Sequence, residues 1–375
     1  MRNSFAIAMA VLVTTALLGG VVGPAAGAQP TISTDGPTAG AGPAAGAAGA
    51  AGPAQTDGAC EFPVEMTDAT GTTITLEERP ERITTLGPSA AQTLWELGEQ
   101  DRVVGVSGDA AYLEGAGEKT NVSAGFGADV ERVVGTEADL VLAPNTSAMD
   151  VGPLREANQT VFHFPAATSV DDIAEKTERI GRLAGACGAA DETNEEMYDA
   201  VATAEERTAD VDRPTALYPL GGGYVAANDT FIDAILTVGG TDNAAADYEG
   251  YPQLSDEVIL ETDPELIIVT DAEAAILERE PYASTTAGAE GSYVVMDVNY
   301  LNQPAPRSVI ESTETLSTAV VDLQTDDAES SDDANTSEGD GSEDDGGSTS
   351  EETPGFGVVA AALALLAAGL LARRE

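Results

Sequence analysis

The stretch Glu131-Arg-Val-Val-Gly-Thr-Glu-Ala-Asp-Leu-Val-Leu-Ala143 has a second version at Glu257-Val-Ile-Leu-Glu-Thr-Asp-Pro-Glu-Leu-Ile-Ile-Val269. Aligned without a gap, both read acidic, any residue, two apolar residues, any residue, Thr, acidic, small, acidic and four apolar residues. Each copy predicts a short helix, a turn and a buried strand. A repeated helix–strand unit favours two similar lobes, and a cleft between lobes is a common place for a small ligand. The alternative is two unrelated α/β units that look alike at this level.

The folded part of the chain, from Cys60 to about Gln324, alternates short apolar strands with helices. Parallel βαβ units are the usual outcome of that alternation. We therefore predict an α/β fold of two Rossmann-like lobes with central parallel sheets joined by one long bridging helix. The N-terminal lobe would span residues 60–189, the bridging helix 190–211 and the C-terminal lobe 212–324.

Local signals place several elements within this frame. A hairpin is expected near Thr67–Leu76, ahead of the first lobe, because polar and apolar residues alternate around Gly71. Pro88-Ser89 opens a helix for which Ser89 is the predicted N-cap. Ser169 and Asp172 have the spacing of a capping box. The last helix is expected from Pro306 to about Leu323.

The two ends of the sequence indicate an external location. Residues 1–28 have the basic start, apolar run and small-residue cleavage site of a signal peptide. Residues 29–59, rich in Ala, Gly and Pro, predict a flexible leader, and the acidic segment 325–353 predicts a disordered stalk. Residues 354–375, with Pro-Gly-Phe, an apolar run and a final Arg pair, resemble the PGF-CTERM tails of archaeal surface proteins. That resemblance implies cleavage of the tail, a lipid anchor and a protein held on the outer face of the membrane; a retained membrane helix is the alternative.

The composition excludes some partners and favours a salty environment. With 65 acidic residues against 16 basic ones, the formal net charge is −49, so a nucleic-acid-binding surface is not expected. Repulsion of this size is tolerable where salt screens it, because the Debye length is about 3 Å at 1 M. We infer a halophile. The two cysteines, Cys60 and Cys187, predict one disulfide in a secreted chain.

The residues that catalysis or metal binding would need are scarce. His163 is the single histidine, and it lies inside an apolar strand, which predicts a position in the core. A zinc or transition-metal site of the usual type would require a His or Cys cluster. No nucleophile is marked by a neighbouring base. We therefore expect no enzyme, no cofactor and no metal.

Candidate ligand-binding residues share one feature: they fall in predicted loops after strands or before helices. Loops at strand ends are where open α/β sheets bind ligands, and aromatic rings suit a large planar or amphipathic molecule. The candidates are Pro88, Asp109, Tyr112, Phe126, Tyr224, Tyr251, Asn299, Tyr300 and Asn302.

Longer stretches carry a resemblance to a known family. Ile83–Gly98, Val103–Ser107, Val130–Val134 and Asp139–Ala143 resemble the N-terminal lobe of the cobalamin and siderophore class of substrate-binding proteins of ABC importers. Its C-terminal lobe is similar to Tyr251-Pro-Gln-Leu-Ser255, Glu257, Pro264–Thr270 and Ala305-Pro-Arg307. The resemblance implies two lobes, limited hinge closure, and one exposed Glu on each lobe that docks on Arg residues of the permease. Glu131 and Glu257 stand at those positions.

Within that class the sequence is most similar to cobalamin binders. The scarcity of basic residues disfavours an anionic iron chelate and favours a corrinoid. We therefore expect a surface-anchored protein that captures a corrinoid in the inter-lobe cleft and hands it to an ABC permease and its ATPase. A ferric siderophore or haem is the alternative within the class, and a secreted hydrolase is the alternative from another class.

Overall fold

The computed structural model describes residues 60–270 and 274–335. The predicted signal peptide, the leader up to residue 59 and the C-terminal tail lie outside these residues. The described chain forms two α/β lobes, each built on a parallel sheet. The predicted fold class is confirmed.

The N-terminal lobe contains a five-stranded parallel sheet with the order β5-β4-β3-β6-β7. An antiparallel hairpin precedes this sheet, and three helices connect or follow its strands. The elements are β1 (Val64–Thr67), β2 (Thr73–Leu76), β3 (Ile83–Thr85), α1 (Pro88–Glu96), β4 (Val103–Val106), β5 (Thr120–Asn121), α2 (Val130–Gly135), β6 (Leu140–Ala143), α3 (Ala148–Glu156) and β7 (Val161–His163).

Two long helices follow, and then a four-stranded parallel sheet with the order β11-β8-β12-β13. A small antiparallel pair lies beside it. The elements are α4 (Val170–Ala184), α5 (Cys187–Thr208), β8 (Thr215–Leu217), β9 (Pro219–Gly221), β10 (Tyr224–Val225), α6 (Phe231–Val238), β11 (Asp242–Asn243), α7 (Asp256–Thr262), β12 (Leu266–Val269), α8 (Thr286–Glu290), β13 (Tyr293–Val295), α9 (Val298–Leu301) and α10 (Pro306–Asn335).

The sequence repeat corresponds to equivalent elements of the two lobes. Its first copy forms α2 and β6, and its second forms α7 and β12. In β6, Leu140 and Leu142 pack into the core cluster on one face of the sheet, whereas Val141 and Ala143 pack into the cluster on the other. The residues of β12 alternate in the same way: Leu266 and Ile268 pack into one core cluster, and Ile267 and Val269 pack into the other. The four apolar residues of each copy are therefore a strand that is covered on both faces.

Both α4 and α5 run between the two cores. The predicted bridge is α5, whose Ala190 packs in the N-terminal core and Met197 in the C-terminal core. In α4, Ile173 joins the C-terminal core and Ile180 the N-terminal core. The predicted N-terminal lobe, residues 60–189, includes the whole of α4, so this boundary differs from the structure. Because the two helices lie side by side with opposite directions, the lobes are connected by a helix pair rather than by a single rod.

A disulfide and a buried carboxylate connect the first segment of the N-terminal lobe to the rest of that lobe and to α5. A disulfide joins Cys60 to Cys187 at the start of α5. The buried carboxylate of Asp68, in the turn between β1 and β2, accepts hydrogen bonds from the backbone N–H groups of Thr70 and His163 at 2.8 and 3.0 Å, and it pairs with Arg155. These contacts tie the hairpin to β7. His163 itself is buried in the core, as its sequence context predicted.

Two local predictions need correction, and one helix lies where none was predicted. The last helix, α10, continues to Asn335, so residues 325–335 are helical and not part of a disordered stalk; no Gly or Pro interrupts the chain there, and extending a helix costs little once it has formed. Helix α3 was not predicted, because Gly152-Pro153 is typical of a turn. The N-cap of α1 is Gly87, which places Ser89 in the first turn and leaves its hydroxyl free for another partner.

In the part of the chain that the structure describes, no helix has both the length and the apolar character needed to span a membrane.

Candidate functional site

The predicted ligand-binding residues lie beyond the C-terminal ends of the parallel strands, on the edges of the two sheets where open α/β folds bind ligands. Pro88 begins α1 after β3, Asp109 and Tyr112 follow β4, and Phe126 follows β5. In the second lobe, Tyr224 is in β10, Tyr251 follows β11, and the remaining candidates Asn299, Tyr300 and Asn302 follow β13.

One pair of candidates makes contact between the lobes. The rings of Tyr112 and Tyr300 pack edge to face with centroids 6.2 Å apart, a geometry that aromatic pairs favour. The side-chain amide of Gln92 donates a 2.8 Å hydrogen bond to the Tyr112 hydroxyl. Gln92 Oε1 in turn accepts bonds from the backbone N–H and the hydroxyl of Ser308, at 3.1 and 3.0 Å. A buried polar chain therefore connects the ring pair to α10.

The C-terminal lobe carries a further tyrosine that is not among the predicted ligand-binding residues. Tyr218 follows β8 and is buried, and its hydroxyl accepts a 3.2 Å hydrogen bond from the side-chain amide of Asn302. It was missed because it directly continues the apolar strand Ala216–Leu217 and looks like a strand residue. Its position immediately after that strand is the signal that would have revealed it.

A cavity of about 140 Å³ lies beside Tyr218 and is lined by Pro219, the end of β12, Thr270 and residues 274–276. Ligand pockets usually measure roughly 300–1,000 Å³. This cavity can therefore hold a side group of a large ligand, but not the whole molecule.

The N-terminal lobe presents a different surface. Phe126 is 86% exposed and Met149 is 74% exposed. They belong to neighbouring segments, because the space beside Gly127 is occupied by the carboxylate of Asp150. Phe126 makes no aromatic pair with another described residue, and Asp109 is exposed on a short 3₁₀ turn.

Three polar side chains of α1, which we call the polar seam, form hydrogen bonds or an ion pair with residues of α4 and α10. Ser89, Gln92 and Glu96 recur at i, i+3 and i+7, so they share one face of the helix. Gln92 bonds Ser308 as described, and Glu96 forms a bidentate pair with Arg307, both N···O distances being 2.7 Å. The Ser89 hydroxyl accepts a 2.8 Å bond from Lys176. This seam was not predicted, since its partners lie far away in sequence.

The cleft offers neutral hydroxyl groups. Burial raises the pKa of Tyr112 to about 12, and burial also raises the pKa values of Tyr218, Tyr251 and Tyr300. With pKa values above 10, these phenols are protonated at neutral pH and can act both as hydrogen-bond donors and as acceptors. Among the described residues, no group of His, Cys, Asp and Glu side chains is arranged to hold a metal ion.

Glu131 and Glu257 occupy equivalent places in the two lobes. Each is exposed in the first turn of its short helix, α2 or α7. The N-caps are also equivalent, since Asp129 accepts a bond from the Arg132 backbone and Ser255 one from the Val258 backbone. Because each helix precedes a strand of a parallel sheet, it runs towards the N-terminal ends of the strands, and both glutamates lie near the C-terminal ends.

Comparison with known proteins gives matches along most of the chain. The periplasmic binding protein family matches residues 83–300. A protein named cobalamin-binding protein from Halobacterium salinarum is 47% identical over 334 residues, covering 85% of this chain and 90% of the relative. An ABC transporter substrate-binding lipoprotein of Bacillus subtilis is 29% identical and covers 69% of this chain and 86% of its own length.

Solved structures show the same fold. The vitamin B12-binding protein BtuF of Vibrio cholerae has a TM-score of 0.57 and 22% identity, covering 66% of this chain and 98% of the neighbour. The haem-binding protein RhuT of Roseiflexus has a TM-score of 0.58 and 21% identity, covering 64% and 99%.

The PGF-CTERM motif matches residues 353–375. It indicates surface anchoring through the C-terminus, which confirms the predicted location; the residues themselves lie outside the described part of the structure. The family and the relatives consist of binding proteins and not of enzymes, as the sequence indicated. With its two parallel sheets and a family match over most of the folded part, this chain belongs to the periplasmic binding protein family.

Proposed function

We propose that the protein captures a corrinoid in the cleft between its lobes and delivers it to an ABC permease. The observation that carries this proposal is the 47% identity with the cobalamin-binding protein of Halobacterium salinarum, which extends over 85% of the chain. Relatives of this similarity and coverage commonly share their class of ligand.

The chemistry of the cleft supports a near-neutral, amphipathic ligand. Four tyrosines follow strand ends of the two lobes and are uncharged at neutral pH, because burial leaves their pKa values above 10: Tyr112, Tyr218, Tyr251 and Tyr300. A phenol combines an apolar face with a hydrogen-bond donor, which fits a corrin ring surrounded by amide side chains. In the N-terminal lobe, the exposed Phe126 and Met149 add apolar surface.

Haem or a ferric siderophore is the second candidate, since haem-binding neighbours share the fold. An anionic chelate would be expected to use a cationic side chain in the cleft. Arg307 lies near Tyr300 but is already paired with Glu96. This pairing favours the corrinoid.

Calorimetric titration of the purified protein with cyanocobalamin tests the proposal. We expect one-site binding with a Kd in or below the micromolar range, equivalent to about −8 kcal/mol or tighter. Haemin and a ferric catecholate are the matched competitors. Binding of either chelate together with no heat from cyanocobalamin would contradict the corrinoid assignment.

Delivery to a permease would use Glu131 and Glu257, the exposed acids at the starts of α2 and α7. One negative charge on each lobe can orient the protein on a permease that carries complementary Arg residues. Docking on the cleft side brings the ligand to the mouth of the transporter. The C-terminal anchor would keep the protein close to the membrane.

A further inference from the structure

One buried amine contacts both lobes. Lys176, on α4, is 7% exposed. Its Nζ lies 2.8 Å from the Ser89 hydroxyl oxygen in the N-terminal lobe and 2.9 Å from the Pro304 carbonyl oxygen in the C-terminal lobe. Ser89 is in the first turn of α1, and Pro304 lies two residues before α10. The amine is thus inserted where the two lobes meet.

The acceptors match a neutral amine better than an ammonium. A lysine ammonium has three N–H donors, but the structure supplies two acceptors, and both are uncharged oxygens. A neutral amine has two donors and would be fully satisfied. The surroundings also disfavour charge, because the N-terminal ends of α1 and α10 lie next to the amine and carry partial positive charge.

A small cavity of about 20 Å³ is lined by Lys176 together with Asp172, Glu175 and Arg179, and each of these three charged groups has a partner of its own. On α4, Asp172 accepts bonds from Thr168 and Ser169, and Glu175 pairs with Arg179. On α1 and α10, Glu96 and Arg307 pair with each other. The crossover segment 164–167, Phe-Pro-Ala-Ala, has no titratable side chain. None of the ion pairs among the described residues includes Lys176.

We propose that Lys176 is a positioning residue that sets the angle between the lobes by donating one hydrogen bond to each as a neutral amine, and that its protonation loosens this joint. A proton added here brings a third N–H for which the described residues supply no acceptor within hydrogen-bond distance, and a charge that is paired with none of their carboxylates. Both are costly in a buried site, and opening the joint to water relieves them. The consequence for ligand capture rests on the proposed function, since the ligand lies between the lobes.

The direction of the pH effect follows from burial, which lowers the pKa of Lys176 from 10.5 to about 7. Between these two pH values the unfolded chain holds a proton that the native protein has released, so stability rises with pH. Below about pH 7 the amine is charged in both states, and the full penalty is present. The joint is therefore expected to be loose in acid and firm above neutrality.

Lysine NMR tests the first part of the proposal without any ligand. Lys119 and Lys176 are the only lysines, so protein labelled with ¹³C at lysine Cε gives two signals. In Lys119→Met a single signal remains, and we expect it to titrate near neutral pH. Titration of this signal at the ordinary lysine value would overturn the proposal, even if Lys176→Met failed to fold.

A distance measurement tests the second part. Spin labels are placed on exposed positions of the two lobes, at Glu118→Cys and Glu290→Cys, with the disulfide left intact. We expect the distribution of distances to broaden below about pH 6 relative to above about pH 8. The Lys176→Met variant should lose this response, and Lys119→Met should keep it. An identical pH response in Lys176→Met would contradict the proposed role.

Corrinoid titrations then separate the two proposals. The wild-type Kd is expected to rise about tenfold, or 1.4 kcal/mol, on passing from above pH 8 to below pH 6, and the Kd of Lys176→Met should not change with pH. Absence of corrinoid binding at every pH would refute the proposed function, whereas the lysine titration and the distance measurement would still decide the role of Lys176.

Discussion

The two lobes share a sheet but differ in how that sheet is held. The order β4-β3-β6-β7 in the first lobe corresponds to β11-β8-β12-β13 in the second. The first lobe adds an edge strand, a hairpin, the Cys60–Cys187 disulfide and the buried pair Asp68–Arg155. In the second lobe, the loops after the strands supply most of the cleft tyrosines.

This difference suggests a division of roles. The repeated unit fixes the sheet, because its apolar strand must be covered on both faces. The loops and sheet edges are under no such constraint. The first lobe therefore differs in its disulfide and hairpin, and the second in the tyrosines of its loops. Glu131 and Glu257, the proposed docking residues, belong to the repeated part, which explains their equivalent positions.

Reversing the docking charges should have the largest effect. Glu131→Lys and Glu257→Lys are each expected to lower corrinoid uptake into cells about tenfold, and the double variant should nearly abolish it. Kd for the corrinoid should stay within about twofold, because both side chains are solvent-exposed. Glu261→Lys, on the same helix as Glu257, is the matched control.

If Glu131→Lys and Glu257→Lys lowered uptake by different factors, the two glutamates would not contribute equally to docking. A loss of ligand affinity would move the glutamates from the docking surface to the binding site.

Removing the disulfide should weaken the first lobe selectively. Cys60 and Cys187 are separated by 127 positions, and closing a loop of that length stabilises a protein by up to about 5 kcal/mol in the chain-entropy description. We expect Cys60→Ser/Cys187→Ser to lower the free energy of unfolding by about 2–5 kcal/mol. Hydrogen exchange should accelerate in β3, β6 and β7 more than in β8 and β12. Equal acceleration in both sheets would show that the lobes unfold as one unit.

The Asp68–Arg155 pair gives a related but smaller test. Asp68→Ala leaves Arg155 without its partner and the N–H groups of Thr70 and His163 without an acceptor, so we expect a loss of about 3 kcal/mol. Burial of Asp68 raises its pKa, but the bonds from Thr70, His163 and Thr72 outweigh burial and lower it below 3.8. Its stabilisation is therefore present above that value and is lost as the pH falls through the folded-state pKa.

Urea unfolding at neutral and acid pH measures both effects. Glu65→Ala, on the exposed side of the same hairpin, is the control and should change the free energy of unfolding by less than about 0.5 kcal/mol. If the free energy of unfolding of Asp68→Ala were unchanged, the contacts between the hairpin and β7 would not stabilise the first lobe.

Aromatic truncations compare the two walls of the cleft, with the smallest expected effects. Tyr251→Ala and Phe126→Ala should each raise the corrinoid Kd about five- to tenfold, or about 1–1.4 kcal/mol. Tyr251→Phe removes the hydroxyl alone and should cost less than Tyr251→Ala. Tyr198→Ala, on α5 away from the strand ends, is the control. If Phe126→Ala has no effect on the Kd, the N-terminal wall does not touch the ligand.

The sequence predicted the elements whose local pattern agrees with their tertiary role. The repeat predicted α2 with β6 and α7 with β12. The spacing of Ser169 and Asp172 predicted the capping box of α4. Prediction was poorer where packing overrides the local signal. Helix α3 tolerates Pro153 because residues Val151 and Leu154 are buried against the sheet.

The candidate ligand residues were found by position, since loops after parallel strands meet at one edge of a sheet. Tyr218 was missed because a tyrosine directly following apolar strand residues has the same pattern as a core residue. The stripe Ser89, Gln92 and Glu96 had the spacing of one helix face, but nothing local showed which residues would meet it.

The sequence by itself determined the duplicated α/β unit, the external location and the acidic surface, because these depend on local periodicity and composition. Only the tertiary structure decided that two helices connect the lobes, that Tyr112 meets Tyr300, and that Lys176 is buried between Ser89 and Pro304. Those contacts join segments separated by more than 80 residues, and their energies arise from burial and from hydrogen bonds that exist only after the lobes have packed together.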